Sequence, residues 1–571
     1  MSAVRGIRGG LPGPRSAVLG TWLLIALALG WSALAFASVL GVTSIPFTAL
    51  LALPAVLVAV RLFRRGDPGL GLNVSAALTA TVALALLATI FIRQEPVLVV
   101  AFPAAAIAAL VVVRRPVAAV VLLFALTASF GTLAAFFSIP AAPIADVLLG
   151  GLWLATIWWY LFHVRERPAW LWPGVALIVA YLAVTAFQVL TSPSTDVALR
   201  SFRTFAWYLM AVPLMAYAPW FQSQRGRIAR GFVVVALIVG AYATFRWVFG
   251  QSPTELNQSV ARSNNEIVEG RIRLIGSFLT GKELALWTAC IIPFCLACAL
   301  TFAGRWRAVA LAACGACAIA MFGSDVRVGI VAVVPAILAV VVLYQLARGF
   351  AGLHLGTTLV VTAVIALIGA GAFALTLGGV SSTAPRYKVL ITDPTSDASY
   401  QARVFKWNAA LRDIRHHPLG QGLGTSGDIQ KRFGRFVSIS TIDVDNSYLK
   451  IALEQGFAVM MFFILCVLAL LYGLATRALS TLDRERAGLA IGAVGSLIAF
   501  AVFMFAGTYI EGLPALGIWV VVGLGVAQFS TRDPDPEPVP SADDATLAPP
   551  HAGPSPEYPR PVMPRQPTAV G

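Results

Sequence analysis

The feature that most restricts this chain is a succession of apolar runs separated by short polar groups. A helix that crosses the roughly 30 Å of bilayer hydrocarbon needs about 20 such residues, because the backbone there must satisfy its own hydrogen bonds. Composition agrees: 58% of the 571 residues are hydrophobic and 12% charged, with a mean hydropathy of +0.83. The runs fall at about 17–41, 45–61, 72–92, 96–113, 117–138, 144–163, 170–190, 203–220, 231–249, 284–303, 307–323, 328–346, 357–377, 448–475, 488–507 and 511–529. The expected fold is an all-α polytopic membrane protein with about 14 to 16 transmembrane helices, the lower figure applying if weak pairs merge. Arg5, Arg8 and Arg15 precede the apolar stretch from Ser16 to Val42, which is too long for a signal-peptide core and reads as a retained first helix.

The net charge of +15 raises the question of nucleic acid, but the basic residues form no stripe or reading motif. They collect in alternate short loops: Arg61, Arg64 and Arg65; Arg114 and Arg115; Arg165 and Arg167; Arg225, Arg227 and Arg230; Arg305 and Arg307; Arg348; Arg477, Arg484 and Arg486. By the positive-inside rule these loops are cytoplasmic, as are both termini. Two non-cytoplasmic loops stand out, at about 250–283 and 378–447. Residues 531–571, rich in Pro and Asp, are expected to be a disordered cytoplasmic tail. No internal repeat, phosphate-binding loop or cytoplasmic loop large enough for a nucleotide domain is present, so a bound-nucleotide energy source is not expected.

Cys295-x-x-Cys298 and Cys314-x-x-Cys317 match a zinc-ribbon spacing. Their flanks are spanning-helix sequence, however, where four thiolates would be costly, so small-residue packing is the expected role and no metal is assigned.

Chemistry is expected in the two external loops. In the larger, Val404, Trp407, Leu411 and Ile414 recur at helical spacing, so residues 399–416 read as an amphipathic helix at the outer membrane surface, stopped by Pro418 and Gly420. Gly420, Gly422 and Gly424 form a turn whose N–H groups could approach an anion. Asp445 and Asn446 stand where a polar cluster meets a spanning helix; a helix cap suits Asn446 or Ser447, and Asp445 is a candidate general base for a hydroxyl. Asp443 and Asp445 could also hold a divalent cation, but two carboxylates at this spacing are common by chance, and no metal is assigned. In the earlier loop Arg271, Arg273 and Lys282 either snorkel to lipid phosphate or clamp a diphosphate. Arg327 is open to an ion pair with Asp325 or to a ligand role.

The order of these elements resembles the O-antigen ligase and polymerase superfamily, membrane glycosyltransferases of the C type that act on undecaprenyl-diphosphate-linked glycans. The resemblance covers about residues 200–530 and rests on four elements. They are Arg273-Leu274-Ile275-Gly276-Ser277-Phe278; Ser324 to Gly329 around Arg327; Arg403 and Trp407 followed by His417-Pro418-Leu419-Gly420-Gln421-Gly422-Leu423-Gly424; and Asp445-Asn446-Ser447-Tyr448-Leu449 with Gly456 beyond.

It divides the chain into N-terminal helices (1–200), a ligase- or polymerase-like core (201–530) and the tail. It implies a catalytic pair, Asp445 and Asn446, and substrate-binding roles for Arg271, Arg273, Arg327, Arg403, His417 and Tyr448, with no cofactor. Implied partners are an undecaprenyl-diphosphate-linked glycan donor, a glycan or glycolipid acceptor, membrane lipids and other polysaccharide-assembly proteins, in the bacterial cytoplasmic membrane. Where ligases of the family carry His, this chain has Asp445, which leans toward polymerase-like transfer. The rival expectations are a lipid-linked-glycan flippase, which would place charges at helix midpoints, and a scaffold subunit indifferent to the external arginines.

Overall fold

The structure, a computed structural model, describes residues 115–139, 141–162, 172–262, 267–268, 271–348, 398–427, 429 and 444–528. The expected spans at 17–113 and 357–377, Asp443 and the tail lie outside the described residues. In chain order the helices are α1 (Pro116–Phe137), α2 (Ala141–Phe162), α3 (Pro173–Thr191), α4 (Thr195–Thr204), α5 (Ala206–Leu209), α6 (Ala211–Tyr217), α7 (Pro219–Phe249) and α8 (Pro253–Arg262). They continue as α9 (Gly281–Thr301), α10 (Arg305–Gly323), α11 (Arg327–Ala347), α12 (Ala398–His416), α13 (Ser447–Gln455), α14 (Phe457–Ser480), α15 (Arg484–Met504) and α16 (Leu513–Ala527). A small antiparallel hairpin, β1 (Ile267–Val268) and β2 (Arg271–Ile272), interrupts this all-helical order between α8 and α9.

Among the described residues eight helical segments are long and apolar enough to cross a membrane: α1, α3, residues 224–249 of α7, α9, α10, α11, α14 and α15. The protein is a multi-pass membrane protein. Two of these helices differ from the rest. Nearly all of α9 and most of α15 are buried, whereas the others bury half of their length or less. Glycines make this centre possible: a Cβ on Gly488 would lie 2.4 Å from Thr301, one on Gly492 3.1 Å from Phe294 and one on Gly495 2.6 Å from Pro293. A small-residue stripe on α15 therefore brings its backbone against α9, the close contact that holds helices together where lipid offers no hydrophobic driving force. On the outer helices the exposed side chains recur at helical spacing, as Val331, Val334, Leu338 and Val342 on α11 and as Phe457, Met461, Leu465, Leu468 and Tyr472 on α14. These are lipid-facing stripes.

The two ends of the bundle differ in charge. At one end Arg225 pairs with Asp483 at 2.6 Å, and Arg484 donates to the Leu300 carbonyl at 2.7 Å. There also Arg477 lies over Trp172 and Arg230 over Trp306. The opposite end gathers the polar segments 192–205, 250–280, 398–427, 444–456 and 505–512.

Two expected spans are not single helices. The run at 203–220 is broken near Phe205 and Met210 into α4, α5 and α6, and the run at 448–475 is interrupted at Gly456, whose φ is +98°. Arg203 precedes the first break and Lys450, Glu454 and Gln455 precede the second, but polar residues near the end of an apolar run do not by themselves show that the helix stops there. The Cys-x-x-Cys pairs lie on α9 and α10 with every thiol buried, and Cys314 and Cys317 donate to the backbone carbonyls of Ile292 and Ala236.

Candidate active site

The polar end is assembled from segments whose backbones are fixed before any side chain acts. Arg273 opens the first, its carbonyl accepting from the Gln251 amide. The next residue donates its N–H to the Gly323 carbonyl at 3.3 Å, which ties this loop to the Ser324–Gly329 element at the start of α11. Gly276 turns the chain with φ +56°, and the Ser277 carbonyl accepts from Gly131 (3.0 Å) and Thr132 (3.3 Å) on α1. Gly131 has no alternative there, since a Cβ would lie 2.3 Å from the Phe278 backbone carbonyl. The loop ends in a capping box: Thr280 Oγ1 accepts from the Glu283 N–H at 3.2 Å, and the Glu283 carboxylate accepts from the Leu279 and Thr280 N–H groups. Two orphan donors at the head of the buried α9 are thereby satisfied.

Packed against α13, α12 turns Trp407, Ala410 and Ile414 inward at helical spacing, with Arg403 one turn before Trp407. Phe405 and Leu411 point outward, so Ala410 occupies the inward position expected for Leu411. Lys406 on α12 reaches Asp445 Oδ2 at 2.8 Å. Asp445 itself is left-handed, at φ +46°, a conformation that Asp tolerates better than most residues and that turns the chain into α13. Asn446 is the N-cap, its Oδ1 accepting from Tyr448 N–H at 2.9 Å and Leu449 N–H at 3.1 Å. Tyr448 packs on Phe505 and donates its hydroxyl to the Ala501 carbonyl at 3.0 Å.

The glycine-rich turn has a structural occupation. Gln421 and Gly422 donate to the carbonyls of Leu453 (2.8 Å) and Glu454 (2.9 Å), which are the free carbonyls at the end of α13. Leu423 donates to Ser192 Oγ at 3.0 Å, and the Phe457 N–H that opens α14 donates to the Pro418 carbonyl at 3.0 Å. The Gln421 and Gly422 N–H groups are thus spent on the helix break at Gly456. Contact is close enough that a Cβ on Gly420 would lie 2.6 Å from both Glu454 O and Gly456 N.

Beneath the turn a buried ion cluster joins four segments. Lys450 pairs with Glu454, with Glu511 at 3.4 Å and with the Ser426 carbonyl at 3.0 Å. Glu454 in turn accepts from the Ser426 N–H and hydroxyl and from Ser201 on α4.

The last segment is the connection between α15 and α16, residues 505–512. Ser447 Oγ donates to the Gly507 carbonyl at 2.7 Å and accepts from the Ile510 N–H at 3.3 Å, so this connection sits on the first turn of α13. Tyr509 lies between those two contacts, edge-on to Phe503. Its phenol experiences charge from Arg403, Asp445, Arg273 and Glu283. Burial pushes the phenol above its ordinary range; Arg403 and Arg273 draw it down, and Asp445 and Glu283 push it up.

Of the expected site residues, Asp445 is held directly by α12, through Lys406, and Arg403 lies one turn before Lys406 and Trp407 on that helix. The remaining candidates are placed otherwise. Arg327 is the first residue of α11. Arg271 pairs by backbone register with Val268 in the hairpin. His417 is exposed beyond the far end of α12 from Arg403, about 20 Å along that helix at 1.5 Å per residue, with Nδ1 near the Gln421 amide.

Residues 308–464 match the family model described as O-Antigen ligase, Wzy_C. That match supports the resemblance to the O-antigen ligase and polymerase superfamily. Among curated proteins none matches the chain. The ligase domain spans Arg327, Arg403, His417, Asp445, Asn446 and Tyr448, while Arg273 and Tyr509 lie outside it. A ligase domain points to ligase- or polymerase-type glycan transfer, with a lipid-linked glycan and an acceptor as substrates. Lys406 and Tyr509 were missed in the sequence. The signal for Tyr509 was faint: Thr508, Tyr509 and Glu511 are polar residues in an otherwise apolar stretch.

Proposed function

We propose that the protein transfers glycan from a lipid-diphosphate donor to a hydroxyl of another glycan or glycolipid, at the outer face of the bacterial cytoplasmic membrane. The observation that carries this reading is a ligase domain in which α12, bearing Arg403, is tied to the carboxylate of Asp445 through Lys406 at 2.8 Å. Glycan transfer from a diphosphate ester needs such a set. The planar forks of Arg273 and Arg403 suit diphosphate oxygens and offset the charge that develops as the leaving group departs. Asp445, its direction fixed by Lys406, accepts the proton of the acceptor hydroxyl as that oxygen bonds to the anomeric carbon. The bond from that carbon to the phosphate oxygen breaks with its electron pair on the diphosphate, and attack from the opposite face inverts the anomeric configuration. Neither nucleotide nor metal enters these steps.

The topology fits the reading. Basic loops gather at the end opposite the site, and the positive-inside rule makes that end cytoplasmic, with the site facing outward. The charged groups of the site lie in connections and caps, as an enzyme working on a lipid headgroup requires, whereas a translocation path calls for charge at helix midpoints.

The test is to incubate the protein in nanodiscs with a lipid-diphosphate oligosaccharide pool and resolve product lengths. Longer glycans with wild type, and none with Asp445→Ala or Arg403→Ala, are the expected result. Transfer to a different added acceptor would identify ligase rather than polymerase activity. Full transfer by well-expressed Asp445→Ala, Arg403→Ala and Arg273→Ala proteins would overturn the assignment. Donor binding without transfer would favour translocation.

A further inference from the structure

We infer that the inward face of α8, together with Gln251 just before it, is a saccharide-binding subsite that takes hydroxyl groups of the donor's glycan beside the Arg273 loop. This rests on the proposed function and names residues outside the ligase domain.

The face is built on a buried ion pair. Glu255, Gln258 and Ser259 stand at i, i+3 and i+4 on α8, which packs against α1. Glu255 is 4% exposed, and its Oε1 accepts from the Tyr242 hydroxyl of α7 at 2.6 Å and from Thr132 Oγ1 of α1 at 3.2 Å. Its other oxygen lies 3.2 Å from Arg246, whose guanidinium also donates to the Tyr242 hydroxyl at 3.0 Å. Glu255 therefore clips α8 to α1 and α7 and fixes where the next turn of α8 lies.

That next turn carries polar atoms with nothing to bond. Ser259 is wholly buried and its Oγ has no hydrogen-bond partner within the protein; nor have the buried oxygens Gln258 Oε1 and Gln251 Oε1. Ser259 is exceptional here. Every other buried serine and threonine among the described residues has a partner: Thr127, Thr156, Thr185 and Thr288 donate back to the preceding turn of their own helices, and the rest reach other groups. Gln251 links the group to the proposed site, because its Nε2 donates to the Arg273 carbonyl, a bond that sets its amide orientation and leaves Oε1 as an acceptor.

Chemistry then selects the ligand. Two amide oxygens and a hydroxyl, beside an ion pair without net charge, call for a neutral partner rich in O–H donors. Phosphate would set oxygen against oxygen, and a cation would meet the guanidinium of Arg246. A sugar offers several hydroxyls on one rigid frame. A buried oxygen without a partner is unfavourable, and a ligand that supplies the missing donor removes that penalty. Gln251 sets this face against the backbone of Arg273, the residue assigned to the diphosphate, so the sugars it takes are those the diphosphate carries.

The experiment measures binding of two ligands to the full-length protein in nanodiscs: the undecaprenyl-diphosphate oligosaccharide pool, and undecaprenyl diphosphate without sugar. Wild type should bind the sugar-bearing ligand more tightly. Ser259→Ala and Gln258→Met should each weaken that binding by roughly two- to tenfold and raise the KM for the donor in proportion, leaving affinity for the sugar-free ligand and the KM for the acceptor unchanged. Each variant deletes only a polar group that nothing in the protein pairs, so the melting temperature should not fall. Equal affinity of wild type for the two ligands would overturn the inference, as would variants that bind like wild type, which is the result if water alone meets these oxygens. Equal weakening toward both ligands, or a rise in the acceptor KM alone, would overturn it too. If the variants lose the sugar-dependent binding while wild type transfers no glycan, the reading of the function falls and the subsite stands. If transfer depends on Asp445 and Arg403 but Ser259→Ala and Gln258→Met are indistinguishable from wild type, the opposite holds.

Discussion

Asp445 and Asn446 are neighbours with separable jobs. Asn446 satisfies two N–H groups of α13, and Asn446→Ala should lower stability by about 1 kcal/mol, read as a drop in melting temperature. The Asp445–Lys406 pair is about one-third exposed on both sides, and such pairs contribute roughly 0–1 kcal/mol. Lys406→Met should therefore leave the melting temperature nearly unchanged while slowing transfer, because the carboxylate loses the partner that aims it. A transfer rate equal to wild type would show that Asp445 needs no such aim. Lys450 is the opposite case. It is 3% exposed between Glu454 and Glu511, and Lys450→Met would leave two buried carboxylates facing each other without a cation. The cost expected for breaking a buried network is about 3–5 kcal/mol, seen as poor expression or a large fall in melting temperature.

At the scale of elements, the glycine-rich turn is a plug for a broken helix. It closes the end of α13 and the start of α14 through Gln421, Gly422 and Pro418, and it needs glycine for both φ and space. Gly420→Ala and Gly456→Ala should each undock the turn, raising hydrogen exchange over residues 447–457 with spans far from the site unaffected. Most of the helices were legible from apolar length alone, and α12 from the spacing of Val404, Trp407 and Ile414. What was not legible has a common cause. Gly456 lies in a run read as one span although Lys450, Glu454 and Gln455 precede it, because those polar groups are satisfied by distant segments and the apolar stretch beyond them dominates the hydropathy. Likewise the glycine run looked free to meet an anion because its carbonyl partners lie some 30 residues away in the chain at Leu453 and Glu454. In the site, Arg273, Arg403 and Asp445 were recognisable as candidates, but Lys406, which holds Asp445, was not, because its partner lies 39 residues away in the chain.

For the whole molecule, sidedness can be read directly. All six cysteines are buried, so introduced thiols stand against a quiet background. Leu419, 86% exposed beside the glycine-rich turn, and Leu482, fully exposed between α14 and α15, lie at opposite ends of the bundle. A membrane-impermeant maleimide applied to intact cells should label Leu419→Cys and spare Leu482→Cys until the cells are permeabilised. The reverse pattern would turn the site to the cytoplasm and remove the outer-face reaction.

The buried centre also sets a schedule for making the protein. Nearly all of α9 is enclosed in the finished fold, and its enclosing neighbours include α15 and α16. The first of them begins about 180 residues after α9 ends and the second about 210, a wait of roughly 10–40 s at ordinary elongation rates. Through that interval the helix that carries the Thr280 and Glu283 cap must stand among lipids or in the care of the insertion machinery. The site is therefore one of the last parts of the chain to mature, and a chain stopped before residue 484 would enter the membrane with its innermost helix on the outside.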